Sequence, residues 1–200
     1  VYKRQLVVLL LVIFIGALFT DQDKVMYVSI FDKYAAPGAI SAEGTKFILG
    51  ADEGGRDVLG QLIIGARNSV TIGFAITVIT SIIGVGLGII SGYYGGIVDN
   101  ILMRVVDFIM ILPIMLIIIV FVSIISNYNV WSFIFIMSAF YWVGKARLFR
   151  SKTLSEARRD YVSASKTMGT GDFKIMFREI MPNLSSLIIT NSVSYTHLTL

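Results

Sequence analysis

Between Val70 and Ile90 the chain runs for 21 residues without one charged side chain. A helix of that length rises about 31 Å, which matches the roughly 30 Å hydrocarbon core of a bilayer. Composition places this run in a wider pattern. Of 200 residues, 56% are hydrophobic and only 15% charged, whereas soluble domains carry about 25% charged residues. The chain therefore belongs with membrane proteins, and the expected fold is all-α, a polytopic transmembrane helix bundle. In that setting the formal net charge of +4 is no nucleic-acid footprint; the position of the cations carries the information. With no cysteine and a single histidine, His197, disulfides, thiolate metal sites and histidine clusters are excluded.

Five apolar segments can be read. The first, Leu6 to Phe19, follows Lys3 and Arg4 and covers about 21 Å, so flanking residues must complete it as a span. A cleaved signal peptide is the rival reading; the missing A-x-A-like site and the later spans favour an uncleaved helix. The chain begins on Val1, so its start is expected to be incomplete. Val70 to Ile90 is the second span, and its Gly84 and Gly88 form a small-xxx-small pair suited to close helix packing. Residues 93–100 make a tight connection. Ile101 to Ile125 is the third span, where Pro113 should kink the helix and Arg104 and Asp107 are spaced to face each other. Val130 to Val143 is the fourth, with Trp131 and Trp142 near its ends as interface anchors. A fifth apolar run starts at Leu184.

Charge asymmetry orients these spans. Lys145 to Arg178 holds nine Lys or Arg against three acids, whereas Thr20 to Arg67 holds seven acids against five bases. The positive-inside rule puts the first stretch, with Lys3 and Arg4, in the cytoplasm, and counting four spans returns the chain to the cytoplasm at Lys145. The 20–67 stretch is then extracytoplasmic. Within it Asp52, Glu53 and Asp57 lack the alternating spacing of a calcium loop, so the acidic block is read as a structural turn that starts a helix, and no metal is assigned.

Asp160 to Asn183 is a charged, glycine-punctuated segment between apolar runs. Glu156 to Met168 reads as a helix with Tyr161, Ala164 or Ser165, and Met168 on one face. Gly169 is placed as its terminating glycine, and Asp172 as the N-cap of a second helix. There Phe173, Met176, Phe177 and Ile180 share a face, and Pro182 interrupts the path into the fifth run. Such a segment can insert into a partner's groove, or rest on anionic lipid. The residues alone leave both open.

The arrangement Ser163-Ala164-Ser165, Gly169 and Ile180-Met181-Pro182 resembles the "EAA" loop of membrane subunits in bacterial ABC importers, with serine at 163 and 165 where the family has glutamate and alanine. Residues 49–59 (LGADEGGRDVL), continued by Gly65-Ala66-Arg67, are similar to a signature of the dipeptide/oligopeptide/nickel permease subfamily, C-type subunit. Gly92 to Gly96, Met103 to Asp107 and Leu112-Pro113 also fit it. The resemblance implies a type I ABC importer permease fold in a prokaryotic cell membrane, N-terminus cytoplasmic. It implies a translocation path for peptides or a similar small solute, nickel included. Implied partners are two cytoplasmic ABC ATPase subunits, a second permease subunit forming a heterodimer, an extracytoplasmic solute-binding protein and the bilayer. ATPase coupling then falls on Tyr161, Ser163, Ala164, Ser165, Met168, Gly169, Asp172 and Pro182.

The chain has no G-x-x-x-x-G-K-[ST] sequence, so ATP hydrolysis is expected on a partner, and neither a catalytic residue nor a cofactor is assigned. A membrane-embedded enzyme would need ionisable groups deep in its spans, whose centres hold little beyond Thr77 and Ser81. A membrane anchor that recruits a partner without transport is the alternative. Residues 1–67 are expected to form the first helix with an extracytoplasmic segment, and 68–192 the permease core, including the loop 145–183. Residues 193–200 (VSYTHLTL) depart from the family's continuation, pointing to C-terminal truncation or a non-native tail. The fifth run is too short to cross, and no role is given to His197.

Overall fold

The computed structural model describes residues 2–41, 44–125 and 129–198. Ten α-helical elements occur among them: α1 (Tyr2–Phe19), α2 (Gln22–Met26), α3 (Val58–Tyr94), α4 (Gly96–Ile111), α5 (Ile114–Ile124), α6 (Val130–Glu156), α7 (Asp160–Thr167), α8 (Asp172–Lys174), α9 (Met181–Asn183) and α10 (Ser185–Leu198). A 3₁₀ turn lies at Ile30–Asp32 and a π segment at Ile175–Ile180. The described residues form no strand, only isolated antiparallel bridges Ile40–Lys46 and Ala51–Asp57. The chain divides into two compact units, Val1–Thr71 and Ile72–Leu200.

In the first unit, α1 passes α3 closely enough that a Cβ on Gly16 would sit 3.5 Å from the Ile63 side chain. The acidic block forms a self-contained turn. Asp52 Oδ1 accepts from the amides of Gly54 (2.8 Å) and Arg56 (3.0 Å), and Oδ2 accepts from Arg56 Nε (2.9 Å) and Gln61 Nε2 (3.0 Å). Asp57 then caps α3, accepting from the amides of Leu59 and Gly60, two of the donors a helix start leaves unsatisfied.

The second unit is organised by a glycine seam. A Cβ on Gly84 would lie 2.8 Å from the Trp142 carbonyl oxygen, one on Gly88 2.7 Å from that of Ala146, and one on Gly92 2.6 Å from that of Arg150. Every fourth residue of α3 thus lets the backbone of α6 approach, as small residues do between apolar helices. Close approach brings Lys145 against α3. Its Nζ donates to Thr80 Oγ1 (2.9 Å), Ser81 Oγ (2.8 Å) and the Thr77 carbonyl (3.2 Å), and the residue is 1% exposed. This corrects the sequence placement of Lys145 at the edge of the polar insert. The helix of the fourth apolar run continues unbroken to Glu156, and the polar residues of α3 are where they are because an ammonium group meets them.

At the next turns, Arg150 makes a bidentate ion pair with Asp99 on α4, which also accepts from Ser91 Oγ. Asp107 pairs with Arg147 on α6 rather than with Arg104, which stays exposed; the expected i,i+3 contact loses to an interhelical one. The third apolar run breaks. Pro113 caps α5, and the axes of α4 and α5 are bent by 78°, far more than a kink. Among the described residues, α3 alone is long and apolar enough to cross a bilayer, with the bent α4–α5 pair as a second when counted together. The apolar run Val8–Phe19 is shorter.

Candidate functional site

The segment from Glu156 to Leu184 folds back onto the ends of α3 and α6. Its anchor is apolar: Val162, Ile175, Met176, Ile180 and Leu184 are buried with Val85, Ile89, Tyr93 and Phe149 in one cluster. In α7 the inward residues are Val162 and Ser165, three apart. Tyr161 is half-buried, whereas Ser163, Ala164 and Met168 are exposed, Met168 by 77%. Of the face expected for Tyr161, Ala164 or Ser165, and Met168, Tyr161 and Ser165 turn inward and Met168 does not. The helix begins at Asp160 after a turn at residues 157–159 rather than running on from Glu156, and that break resets its rotation.

Gly169 ends α7 as the sequence indicated. Its φ is +78°, and the bonds are those of a Schellman turn: Gly169 N–H to the Lys166 carbonyl and Thr170 N–H to the Ser165 carbonyl, both 3.0 Å. An added Cβ at Gly169 would meet nothing within 4 Å, so the turn stands clear of the fold.

Asp172 also departs from its expected place. It was expected to cap α8, but Gly171 holds the cap position without a side-chain bond. The Asp172 carboxylate instead accepts from Tyr93 Oη at 2.6 Å, 79 residues away along the chain. The same Tyr93 ring carries Lys166 Nζ 4.5 Å from its centroid, a cation–π contact. One side chain at the end of α3 thus touches both arms of the hairpin.

The helix after Asp172 departs from a 3.6-residue period. Over Ile175–Ile180 the coil is a π segment, with Met181 N–H bonded to the Met176 carbonyl. Widening puts Ile175, Met176 and Ile180 inward, and leaves Phe173 71% exposed with its ring 4.4 Å from that of Phe177. Of the expected shared face, Met176, Phe177 and Ile180 all pack into the buried cluster, and Phe173 alone leaves it. Pro182, exposed in α9, lacks an N–H, and the π segment immediately upstream carries the chain past it into α10. The interruption is confined to a turn at Leu184, two residues beyond Pro182, and the backbone is helical again from Ser185 to Leu198.

A second polar tie closes the segment. Tyr161 Oη donates to Glu156 Oε2 (3.1 Å) and accepts from Asn183 Nδ2 (3.0 Å). Burial raises the Tyr161 phenol above its ordinary value; the Asn183 bond opposes this and the Glu156 bond adds to it, so the hydroxyl stays protonated at neutral pH. Among the eight residues singled out from sequence, Ser163, Ala164, Met168, Gly169 and Pro182 are exposed, Asp172 is exposed yet tied to Tyr93, and Tyr161 and Ser165 turn inward. Tyr93, Val162, Phe173 and Asn183 were not singled out. The Gly92-to-Gly96 block was the one signal that touched Tyr93.

The exposed part of this site carries Met168 and Phe173 on the two sides of a left-handed turn, and Lys166, Lys174 and Arg178 are exposed in the same segment. No catalytic constellation is present in that set. It is suited to contact with another molecule, through a short helix presented end-on.

Residues 84–195 match the family described as "Binding-protein-dependent transport system inner membrane component". The chain is 52% identical over 187 residues to the oligopeptide transport system permease protein of Lactococcus lactis subsp. cremoris (strain SK11), an alignment covering 94% of this chain and 62% of that protein. It is 42% identical over 146 residues to the dipeptide transport system permease protein of Haemophilus influenzae, covering 72% of this chain and 48% of the relative. To the oligopeptide permease protein of Bacillus subtilis it is 34% identical over 146 residues, 72% and 48% of the two chains. The chain thus spans about half to three-fifths of the length of these relatives.

Proposed function

The chain belongs to the family of binding-protein-dependent transport system inner membrane components, and on that premise we propose that it is the permease subunit of an ATP-driven importer of peptides. The observation that carries the coupling role is the α7–α8 hairpin: fixed to α3 and α6 by a buried core, yet ending in a free turn with Met168 and Phe173 outward. A cytoplasmic ATPase subunit would receive that turn in a groove, and movement of the groove would drive α3 and α6 between inward- and outward-facing arrangements as rigid bodies. The remaining partners are a second permease subunit and an extracytoplasmic solute-binding protein, with several crossings of the membrane and the N-terminus in the cytoplasm. The names of the relatives support peptides as the solute. The 160–183 segment acts by contact, and ATP is hydrolysed on the partner.

Reconstitution of the full-length protein with its ATPase, second permease subunit and binding protein in proteoliposomes tests this. ATP-dependent accumulation of a labelled tetrapeptide is the expected result. ATPase recruitment without any ATP-dependent uptake would make the chain an anchor and overturn the reading.

A further inference from the structure

Tyr93 ends a column on α3: Val85, Ile89 and Tyr93 succeed one another at four-residue steps, all buried in one cluster with Val162 of α7 and Ile175 of the π segment. The neighbouring column, Gly84, Gly88 and Gly92, is packed against the backbone of α6. Lys145 adds three hydrogen bonds from α6 to the turns of α3 just before that seam, at Thr77, Thr80 and Ser81. The α3–α6 pair is therefore stiff just where the hairpin meets it. The hairpin's own tip is the opposite: Gly169 and Gly171 have nothing within 4 Å of an added Cβ, and a free turn can absorb a displacement by bending. What prevents this must bridge the two arms below the tip. Tyr93 does so from a single position, its hydroxyl bonded to Asp172 on α8 and its ring beneath Lys166 on α7. A hydrogen bond to a carboxylate is among the stronger tertiary bonds.

We propose that Tyr93 is a positioning residue that pins both arms of the 160–174 hairpin to the end of α3, so that displacement of the exposed turn reaches the α3–α6 pair instead of being taken up in the loop. The inference rests on the coupling role proposed above and adds the residue through which force passes. The ring packing and the hydroxyl of Tyr93 can be separated, because Tyr93→Phe keeps the ring under Lys166 and in the core while removing the bond to Asp172.

The test has two arms. In the full-length chain in nanodiscs, hydrogen exchange of residues 161–175 should quicken about tenfold in Tyr93→Phe, in α7 as well as α8. Asp172→Ala should do the same, and the double variant should be no faster than either single one, since both remove one bond. In the assembled transporter, tetrapeptide taken up per ATP hydrolysed should fall severalfold in Tyr93→Phe, with ATPase association unchanged. Unaltered exchange, exchange altered in α8 alone, or an unaltered uptake-to-hydrolysis ratio would each overturn the pin. Failure of the coupling reading shows differently: the wild-type transporter would then give no ATP-dependent uptake, which removes the basis of both.

Discussion

The turn at residues 50–60 and the turn at residues 168–174 are assembled from similar parts: a glycine with positive φ (Gly55 at +72°, Gly169 at +78°) and an aspartate at the start of the following helix, Asp57 or Asp172. In the first turn both carboxylates are spent locally. Asp57 caps α3, Asp52 gathers the amides and the Arg56 side chain of its own loop, and a Cβ on Gly55 would fall 2.0 Å from the Ser29 carbonyl oxygen. In the second turn nothing fills the space at Gly169, and Asp172 leaves its own helix uncapped to reach Tyr93. The first turn is held by its own carboxylates and by backbone bonds to Ser29, Tyr34 and Ala35. The second is held from outside, by Tyr93 near the end of α3, and its tip stays clear of the fold.

The contrast breaks most visibly at the two glycines. Gly55→Ala combines a left-handed backbone with a clash against backbone, and should destabilise its unit on the order of 3 kcal/mol. Gly169→Ala carries the backbone strain alone and should cost about 1 kcal/mol. Thermal unfolding with residue-level hydrogen exchange distinguishes them; equal costs would show that Gly169 is as enclosed as Gly55.

The aspartates sharpen the comparison at smaller energies. Asp57→Ala removes a helix cap and should cost about 1 kcal/mol, with fraying confined to the first turn of α3. Asp172→Ala has no cap to remove, so its effect should appear as faster exchange in both arms of the hairpin, not as lost helix at residues 172–174. Fraying limited to α8 would mean that Asp172 serves its own helix after all.

The smallest effect is one of pH. Burial by itself would raise the Asp52 carboxyl, but the bonds from Arg56, Gln61 and Gly54 outweigh it and hold the group well below the ordinary carboxylate range. When the folded value is the lower one, the unfolded chain takes up the proton first as pH falls. The stabilisation is therefore complete above about pH 4 and drains away below it. Exchange of the Gly54 and Arg56 amides, corrected for its intrinsic pH dependence, should accelerate through that window, and Asp52→Asn should remove the dependence.

Features carried by neighbouring residues were legible in the sequence, and those carried by distant ones were not. Gly84 and Gly88 announced a close helix contact because four-residue spacing puts both on one face, and the contact is there with Gly92 added. Gly169 announced the end of α7 because few other residues suit that conformation. Lys145 looked like one more cation of the insert, since nothing local shows that Thr77, Thr80 and Ser81 await its ammonium group. Asp172 satisfied every local rule for a cap and was drawn away by Tyr93, a partner no window of sequence contains. The π segment escaped for a related reason: a pattern read at 3.6 residues per turn assigns Phe173 inward, and one wider turn sends it out.

If the turn between α7 and α8 is a contact for a cytoplasmic ATPase, as proposed, affinity for that subunit tests it directly. Met168→Asp alters an exposed side chain and Phe173→Asp gives up one ring contact, with Phe177, so both variants should remain folded. Each should weaken binding of the purified ATPase subunit to the full-length protein in nanodiscs by at least about tenfold, as loss of a central apolar anchor does. Binding at wild-type affinity in both variants would contradict the account.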